Sequence, residues 1–414
     1  MNDRILKEHD HELYSLIERE RDRQKYTLDM MASESIQDPV TLSLTGSSFA
    51  NKTAVGLPGK QRLLGAEVID ELEVLAAERA CRLFGADHAN MLPYSGTAAN
   101  LCVYDGLLSP GDKILALDPE HGSHASHGRR AHISSRLYNF IHFGVDPETQ
   151  LIDYDVLRKT AKTIRPQMLL IGSSSYPRLF DYELLADIAH SVGAIFMTDI
   201  AHTTGLTAAG VIPSPVPFAD VVTASCTKTM CSTHTGFILC KKEFASAVDR
   251  GVYPGVLASM HPQTIAAAAW AMKRAGEESF AQLMRQTLVN TSALADALIS
   301  RGLDLLTGGT DCHMFVLDLR RTESDGVKLG EDLGKIGIWV NSKSIPYDTH
   351  AKPMGIRAGC TVLTQRGFKE NDMDRIANLI CRTVSFGQQI PDDGKISALC
   401  EEVRRICEEF PGTE

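Results

Sequence analysis

An α/β fold, with one large mixed-sheet domain and a smaller C-terminal α+β domain, is the architecture this sequence predicts. Three observations lead there. Between Ala89 and Cys240, seven short apolar runs occur, several of them separated by helical patterns, as in a sheet covered by helices. After Pro254 the pattern changes to alanine-rich helical stretches, which lead from Leu303 into a shorter mixture of strands and helices. The chain has 414 residues, enough to build two cores.

Asp10 to Met31 is polar, with Leu13, Leu16, Ile17 and Leu28 at helical spacing, and reads as an N-terminal helix that packs on the body or on a partner subunit. A glycine-containing loop spans Asn51 to Gly65, and a helix over Val68–Phe84 carries Glu71, Glu73 and Arg79 on its polar side. Strands are expected at Ala89–Leu92, Lys113–Leu117, Leu137–Ile141, Met168–Ile171, Ala194–Thr198, Asp220–Ala224 and Gly236–Cys240. Long helices fill Pro262–Ile299. The small domain then has a strand at Met314–Leu319, a helix at Val327–Ile336, a strand at Ile338–Asn341 and closing helices from Glu370 and Ile396. The expected division is a helical arm over 1–50, a large domain over 51–280 and a small domain over 281–414.

Composition narrows the function. The 42 basic and 52 acidic residues give a net charge of −10, with no basic stripe for nucleic acid. Met1 to Asp10 is charged, and no run approaches the ~20 apolar residues that span a bilayer, so a cytoplasmic chain without membrane contact is expected. The ten cysteines are scattered without a CxxC and read as reduced thiols. No Cys/His group has zinc-ligand spacing, and no metal is expected.

The chemistry concentrates at strand ends, where catalytic groups of such sheets sit. One apolar run ends in Asp199-Ile200-Ala201-His202. A later one passes through Ser225-Cys226-Thr227 to Lys228. An acid followed by a lysine in this order suits pyridoxal 5'-phosphate (PLP). The lysine can form a Schiff base, and the acid can keep the pyridine nitrogen protonated so that the ring draws electrons. Ser95, Gly96 and Thr97 lie between a strand and a helix, where unpaired N–H groups favour a phosphate. The run Glu120 to Gly128 holds His121, His124 and His127, one of which can stack on the ring. Arg357, between Gly355 and Gly359, can form a fork to a carboxylate, which points to an α-amino acid substrate.

These runs together resemble the serine hydroxymethyltransferases, which are fold-type I PLP-dependent transferases (aspartate aminotransferase-like). The resemblance rests on Met31-Ala32-Ser33-Glu34, Asn51-Lys52, Pro58-Gly59-Lys60, Leu83-Phe84-Gly85-Ala86, Ser95-Gly96-Thr97, His121-Gly122 with His124, Asp199 with Ala201-His202, Lys228-Thr229, Gly308-Gly309-Thr310-Asp311 and Gly355-Ile356-Arg357. It implies Lys228 as the Schiff-base lysine, Asp199 on the pyridine nitrogen, His124 on the ring face and His202 near the phenolic oxygen and substrate. Ser95, Gly96 and Thr97 would hold the phosphate, with Ser174 and Ser225 as further contacts, and Ser33 and Arg357 would hold the substrate carboxylate. It also implies a homodimer or tetramer with shared active sites.

The departures from the family pattern are specific. Val55 replaces a glutamate that handles protons during hydroxymethyl transfer, and Thr53 and Leu63 replace tyrosines. Leu57 and Arg62 replace aromatic residues, Thr227 replaces a histidine, and His234 lies in an altered run after the lysine. Ala258-Ser259 replaces a Gly-Gly that reaches the neighbouring subunit's phosphate, and Ser259 retains hydrogen-bonding capacity. Lys343 replaces an asparagine at the folate ring, and Pro119 and Ala125 replace leucines. Valine transfers no proton, and a lost general acid/base costs about 10²–10⁴ in rate. The expectation is therefore folate-independent aldolase or transaldolase chemistry at Cα–Cβ, with Lys228, His124 and His202 as catalytic groups. Arg62, His234 and Lys343 would face a different second substrate. The alternatives are a PLP-dependent racemase, β-eliminase or decarboxylase, a true hydroxymethyltransferase, and a non-catalytic PLP-binding paralogue.

Overall fold

In the computed structural model, which describes residues 3–390 and 392–412, a seven-stranded sheet carries the strand ends that hold the candidate chemistry. The expected domain termini at 1–2 and 413–414 lie outside the described residues. Two units are distinguished: Ser35–Arg285 with Ile345–Tyr347, and Met1–Glu34 with Gln286–Ser344 and Asp348–Glu414. The arm expected over 1–50 is thus divided after Glu34, and its first part joins the C-terminal residues. Two contacts explain this. Leu28–Asp29 pairs in parallel with Ile338–Trp339, and the Arg366 guanidinium donates to the carbonyls of Thr27 at 2.6 Å and Lys25 at 3.0 Å. On the helix His11–Tyr26, Leu13 and Leu16 remain exposed.

In the Ser35–Arg285 unit the sheet order is His88–Asn90, Gly236–Cys240, Val221–Ser225, Ile195–Asp199, Met168–Gly172, Lys113–Leu117, Asn139–Phe143. Gly236–Cys240 runs antiparallel to both neighbours, and the remaining pairs are parallel. Met168–Gly172, Val221–Ser225 and Gly236–Cys240 are buried at every residue, which is why they read as unbroken apolar or small-residue runs. Strand ends agree with the sequence reading to within two residues. The strand expected from Leu137 is shifted by two residues, because Ser134–Leu137 forms a helical turn and the strand begins at Asn139.

A second expectation is overturned. Glu73 does not lie on the polar side of its helix, Glu67–Phe84. It is 4 % exposed and shares the inner face with Ile69, Ala76 and Ala80, its neighbours at helical spacing. Its carboxyl oxygen Oε1 is met there by Gln61 Nε2 at 3.2 Å.

In the other unit an antiparallel sheet has the order Asn341–Lys343, Gly355–Gly359, Met314–Asp318, Asp304–Leu305. The single strand expected at Ile338–Asn341 is two pieces in different sheets, because the chain changes pairing partner at Val340. The helix Gly326–Lys335 starts at Asp325, whose side chain accepts from the N–H groups of Val327 and Lys328. No helix among the described residues is long and apolar enough to cross a membrane.

Candidate active site

Asp199 ends its strand with Gly172 beside it on one side and Thr223 on the other. It is 8 % exposed. Its Oδ1 accepts the Ala201 N–H at 2.8 Å, and its Oδ2 accepts Asn100 Nδ2 at 2.8 Å and His127 Nε2 at 3.1 Å. Burial opposes ionisation, but the hydrogen bonds from His127 and Asn100 outweigh it and hold the carboxyl well below the usual carboxylate range. A carboxylate offers about four lone-pair positions, so roughly one remains for a further donor. Gly172 makes this packing possible. A Cβ there would lie 2.7 Å from Asp199 Cβ and 3.0 Å from His127 Cε1.

From Asp199 a chain of hydrogen bonds runs to His124. Asn100 Nδ2 also donates to Ser126 Oγ at 2.9 Å, while Asn100 Oδ1 accepts Thr223 Oγ1 at 2.6 Å. Ser126 Oγ lies 2.8 Å from His124 Nδ1, which also accepts the Ser126 N–H at 3.2 Å. A nitrogen that accepts a backbone N–H carries no proton, so neutral His124 is protonated on Nε2. Burial lowers its pKa to about 4, so the ring is neutral at pH 7. His127 is fixed likewise: its Nδ1 accepts the His124 N–H at 3.4 Å, which leaves Nε2–H to donate to Asp199.

Ser95 caps the helix Gly96–Leu107, its side chain accepting the Ala98 N–H at 3.1 Å. The N–H groups of Gly96 and Thr97 lie in the first turn, where no intrahelical acceptor exists. A Cβ on Gly96 would lie 3.3 Å from Ala201 Cβ and 3.8 Å from Ser225 Cβ. The helix start, the turn after Asp199 and the strand leading to the lysine therefore converge. Ser225 Oγ pairs with Thr227 Oγ1 at 2.7 Å. Ser174 Oγ donates to Ser123 O at 2.8 Å, which joins the histidine run to the end of the Met168–Gly172 strand.

Lys228 opens a short 3₁₀ turn directly after the Val221–Ser225 strand, with a left-handed backbone at φ 52°. Such a conformation costs a bulky residue about 1–3 kcal/mol and persists only where its surroundings over-determine it. Here Arg274 donates to the carbonyls of Met230 at 2.7 Å and Cys231 at 2.8 Å, and Thr229 Oγ1 donates to His202 O at 2.8 Å. The last bond joins the turn bearing buried His202 to the lysine turn.

Other residues of this unit lie around the Asn51–Gly65 loop and the helix start. The Tyr94 hydroxyl donates to Ser259 O, and its ring stacks on His261 at 4.5 Å. Arg62 is exposed, its N–H bonds to Val55 O at 2.8 Å, and its guanidinium lies 6.0 Å from the Tyr253 ring centre. His234 is exposed, and Val55 is half-buried.

Ser33, Lys343 and Arg357 belong to the other unit. Arg357 is 8 % exposed between Val316 and Asn341 on adjacent strands, and burial lowers its pKa to about 10. Lys343 pairs with Gly355. The segment leading to Ser33 is tied to the Arg357 strand by Gly359 N–H to Met30 O at 2.8 Å.

Sequence reasoning missed Asn100, Ser126 and Thr223, and it left His127 without a role. The usable signal was five residues beyond Ser95, where Asn100 is a polar side chain on the inner face of a helix. The set fits PLP: a buried, ionised acceptor with a free position, a neutral imidazole fixed by the same network, a helix start for phosphate and a lysine held at the strand end. A family model described as serine hydroxymethyltransferase matches residues 6–380 of the chain.

Proposed function

The chain belongs to the serine hydroxymethyltransferase family, and on that premise we propose folate-independent aldol or transaldol chemistry on a β-hydroxy α-amino acid. The family uses PLP, and the chain is a PLP-dependent, serine hydroxymethyltransferase-like transferase of fold type I. When bound, the cofactor supplies an electron sink for charge left on Cα.

The residues divide the remaining work. Lys228 would hold the cofactor's aldehyde carbon and be released by the substrate amine. Asp199, kept ionised, would retain the proton on the ring nitrogen. Ser95, Gly96 and Thr97 would bind the phosphate, with Ser174, Ser225 and Ser259 as further donors. His124 would cover the ring face. With Nδ1 engaged and Nε2 protonated it is a donor rather than a base, so proton removal falls to Lys228 or His202. Ser33 and Arg357 would fix the carboxylate, which directs cleavage to the other bonds of Cα. Arg62 and Lys343 are the cations proposed for an anionic second substrate, with His234 as a further hydrogen-bonding contact. A homodimer or tetramer is proposed for the assembly, and Leu64, 95 % exposed on the Asn51–Gly65 loop, suits coverage by a second copy.

The observation that carries folate independence is Val55. Its side chain has no proton to transfer, and its carbonyl is taken by the Arg62 N–H. The test is aldehyde release from β-hydroxy amino acids by PLP-loaded protein, with and without tetrahydrofolate; equal rates support the proposal. The family match itself favours a second reading, folate-dependent serine–glycine exchange. That reading requires the folate arm to be faster by at least an order of magnitude.

A further inference from the structure

Ile345–Tyr347 belongs to the unit of the large sheet, whereas Ser344 and Asp348 do not. Tyr347 holds this short segment in place. Its backbone is left-handed at φ 60°, a conformation that needs support around it. The hydroxyl donates to Val145 O at 2.5 Å, and the ring meets the His121 imidazole edge-on, with centroids 4.7 Å apart at 64°. His121 closes the triangle, because its Nδ1 accepts the Val145 N–H at 3.1 Å. Gly144 leaves room for all three: a Cβ there would lie 2.7 Å from His121 Nδ1 and 3.3 Å from the Tyr347 hydroxyl.

His121 stands at the head of a segment that leads directly into the candidate site. The next residue, Gly122, offers its carbonyl to the N–H groups of Ser174 at 2.9 Å and Ser175 at 3.0 Å. Two residues beyond Gly122 lies His124, which the Ser126–Asn100 chain ties to Asp199. The Tyr347 side chain is about half exposed, so it contributes little to the core. Its contact with His121 reaches the start of the histidine run directly, and its bond to Val145 reaches the same place through His121 Nδ1.

We propose that Tyr347 is a positioning residue: through His121 and Val145 it sets the placement of residues 121–127, and with them the His124 imidazole against the cofactor. The inference rests on the assignment of His124 to the ring face. Tyr347→Phe keeps the ring on His121 and loses the bond to Val145; Tyr347→Ala loses both. Amide hydrogen exchange is measured on the full chain without PLP, and PLP affinity and visible circular dichroism on the loaded protein. Tyr347→Ala is expected to speed exchange across 121–127 about fivefold or more, the change for losing one hydrogen bond. Exchange in the helix Gly96–Leu107 should stay unchanged, PLP should bind several-fold more weakly with an altered cofactor signal, and Tyr347→Phe should fall between. Unchanged exchange across 121–127 in both variants would overturn the proposal. So would equal acceleration throughout the unit, which marks a merely structural role. If the parent protein bound no PLP, the cofactor assignment would fail, while the exchange comparison would still decide whether Tyr347 orders the run.

Discussion

Glu73 gives the sharpest quantitative test of the packing around the Asn51–Gly65 loop. Burial, and then the charge of Asp70, raise its pKa from 4.5 to about 8, with only partial relief from Gln61. Gln61 Nε2 is shared between Asp70 Oδ1 at 2.9 Å and Glu73 Oε1 at 3.2 Å, and Gln61 Oε1 is buried without a partner. A carboxyl raised on folding binds its proton more tightly in the native state. Its stabilisation is fully present below pH 4.5 and is lost as pH rises to about 8. At about 1.4 kcal/mol for each pH unit, that window is worth on the order of 5 kcal/mol. Glu73→Gln keeps the shape and removes the titration. Its urea-unfolding midpoint should match the parent at pH 4.5 and exceed it increasingly up to about pH 8. Parallel pH profiles for the two proteins would show that Glu73 does not titrate differently on folding.

Other outcomes concern the candidate site. Gly172→Ala places a methyl 2.7 Å from Asp199 Cβ and should weaken PLP binding at least about tenfold, measured by fluorescence titration. Asn100→Ala takes the acceptor from Thr223 Oγ1 and a donor from both Ser126 Oγ and Asp199, and so opens the chain to His124; PLP affinity should fall by about 1–3 kcal/mol, again read by titration. Arg357→Lys keeps the charge but loses the planar fork; KM for the amino acid should rise about tenfold or more while PLP affinity holds.

Asp199, Lys228 and Ser95 were legible because each comes after a short apolar run, and strand ends are where such sheets expose chemistry. The elements were legible for the same reason, through apolar spacing. Asn100, Ser126 and Thr223 were not, since their roles depend on which strand ends become neighbours. Asn100 acts on Asp199 across 99 positions of sequence, and no local pattern encodes that pairing. Glu73 was misplaced because charge was read as exposure, although its spacing from Ile69 and Ala76 puts it on the inner face. The split of Ile338–Lys343 between two sheets was hidden as well, because one apolar run served two pairing partners.

The absorbance spectrum of PLP-loaded protein mixed with glycine, with aldehyde added afterwards, in the presence and absence of tetrahydrofolate, decides between folate-independent and folate-dependent chemistry. Folate-independent chemistry predicts a new long-wavelength cofactor band with glycine alone, consumed when an aldehyde is added and indifferent to folate. A band that forms or grows strongly only with tetrahydrofolate would contradict it and would make the chain a folate-dependent hydroxymethyltransferase despite Val55.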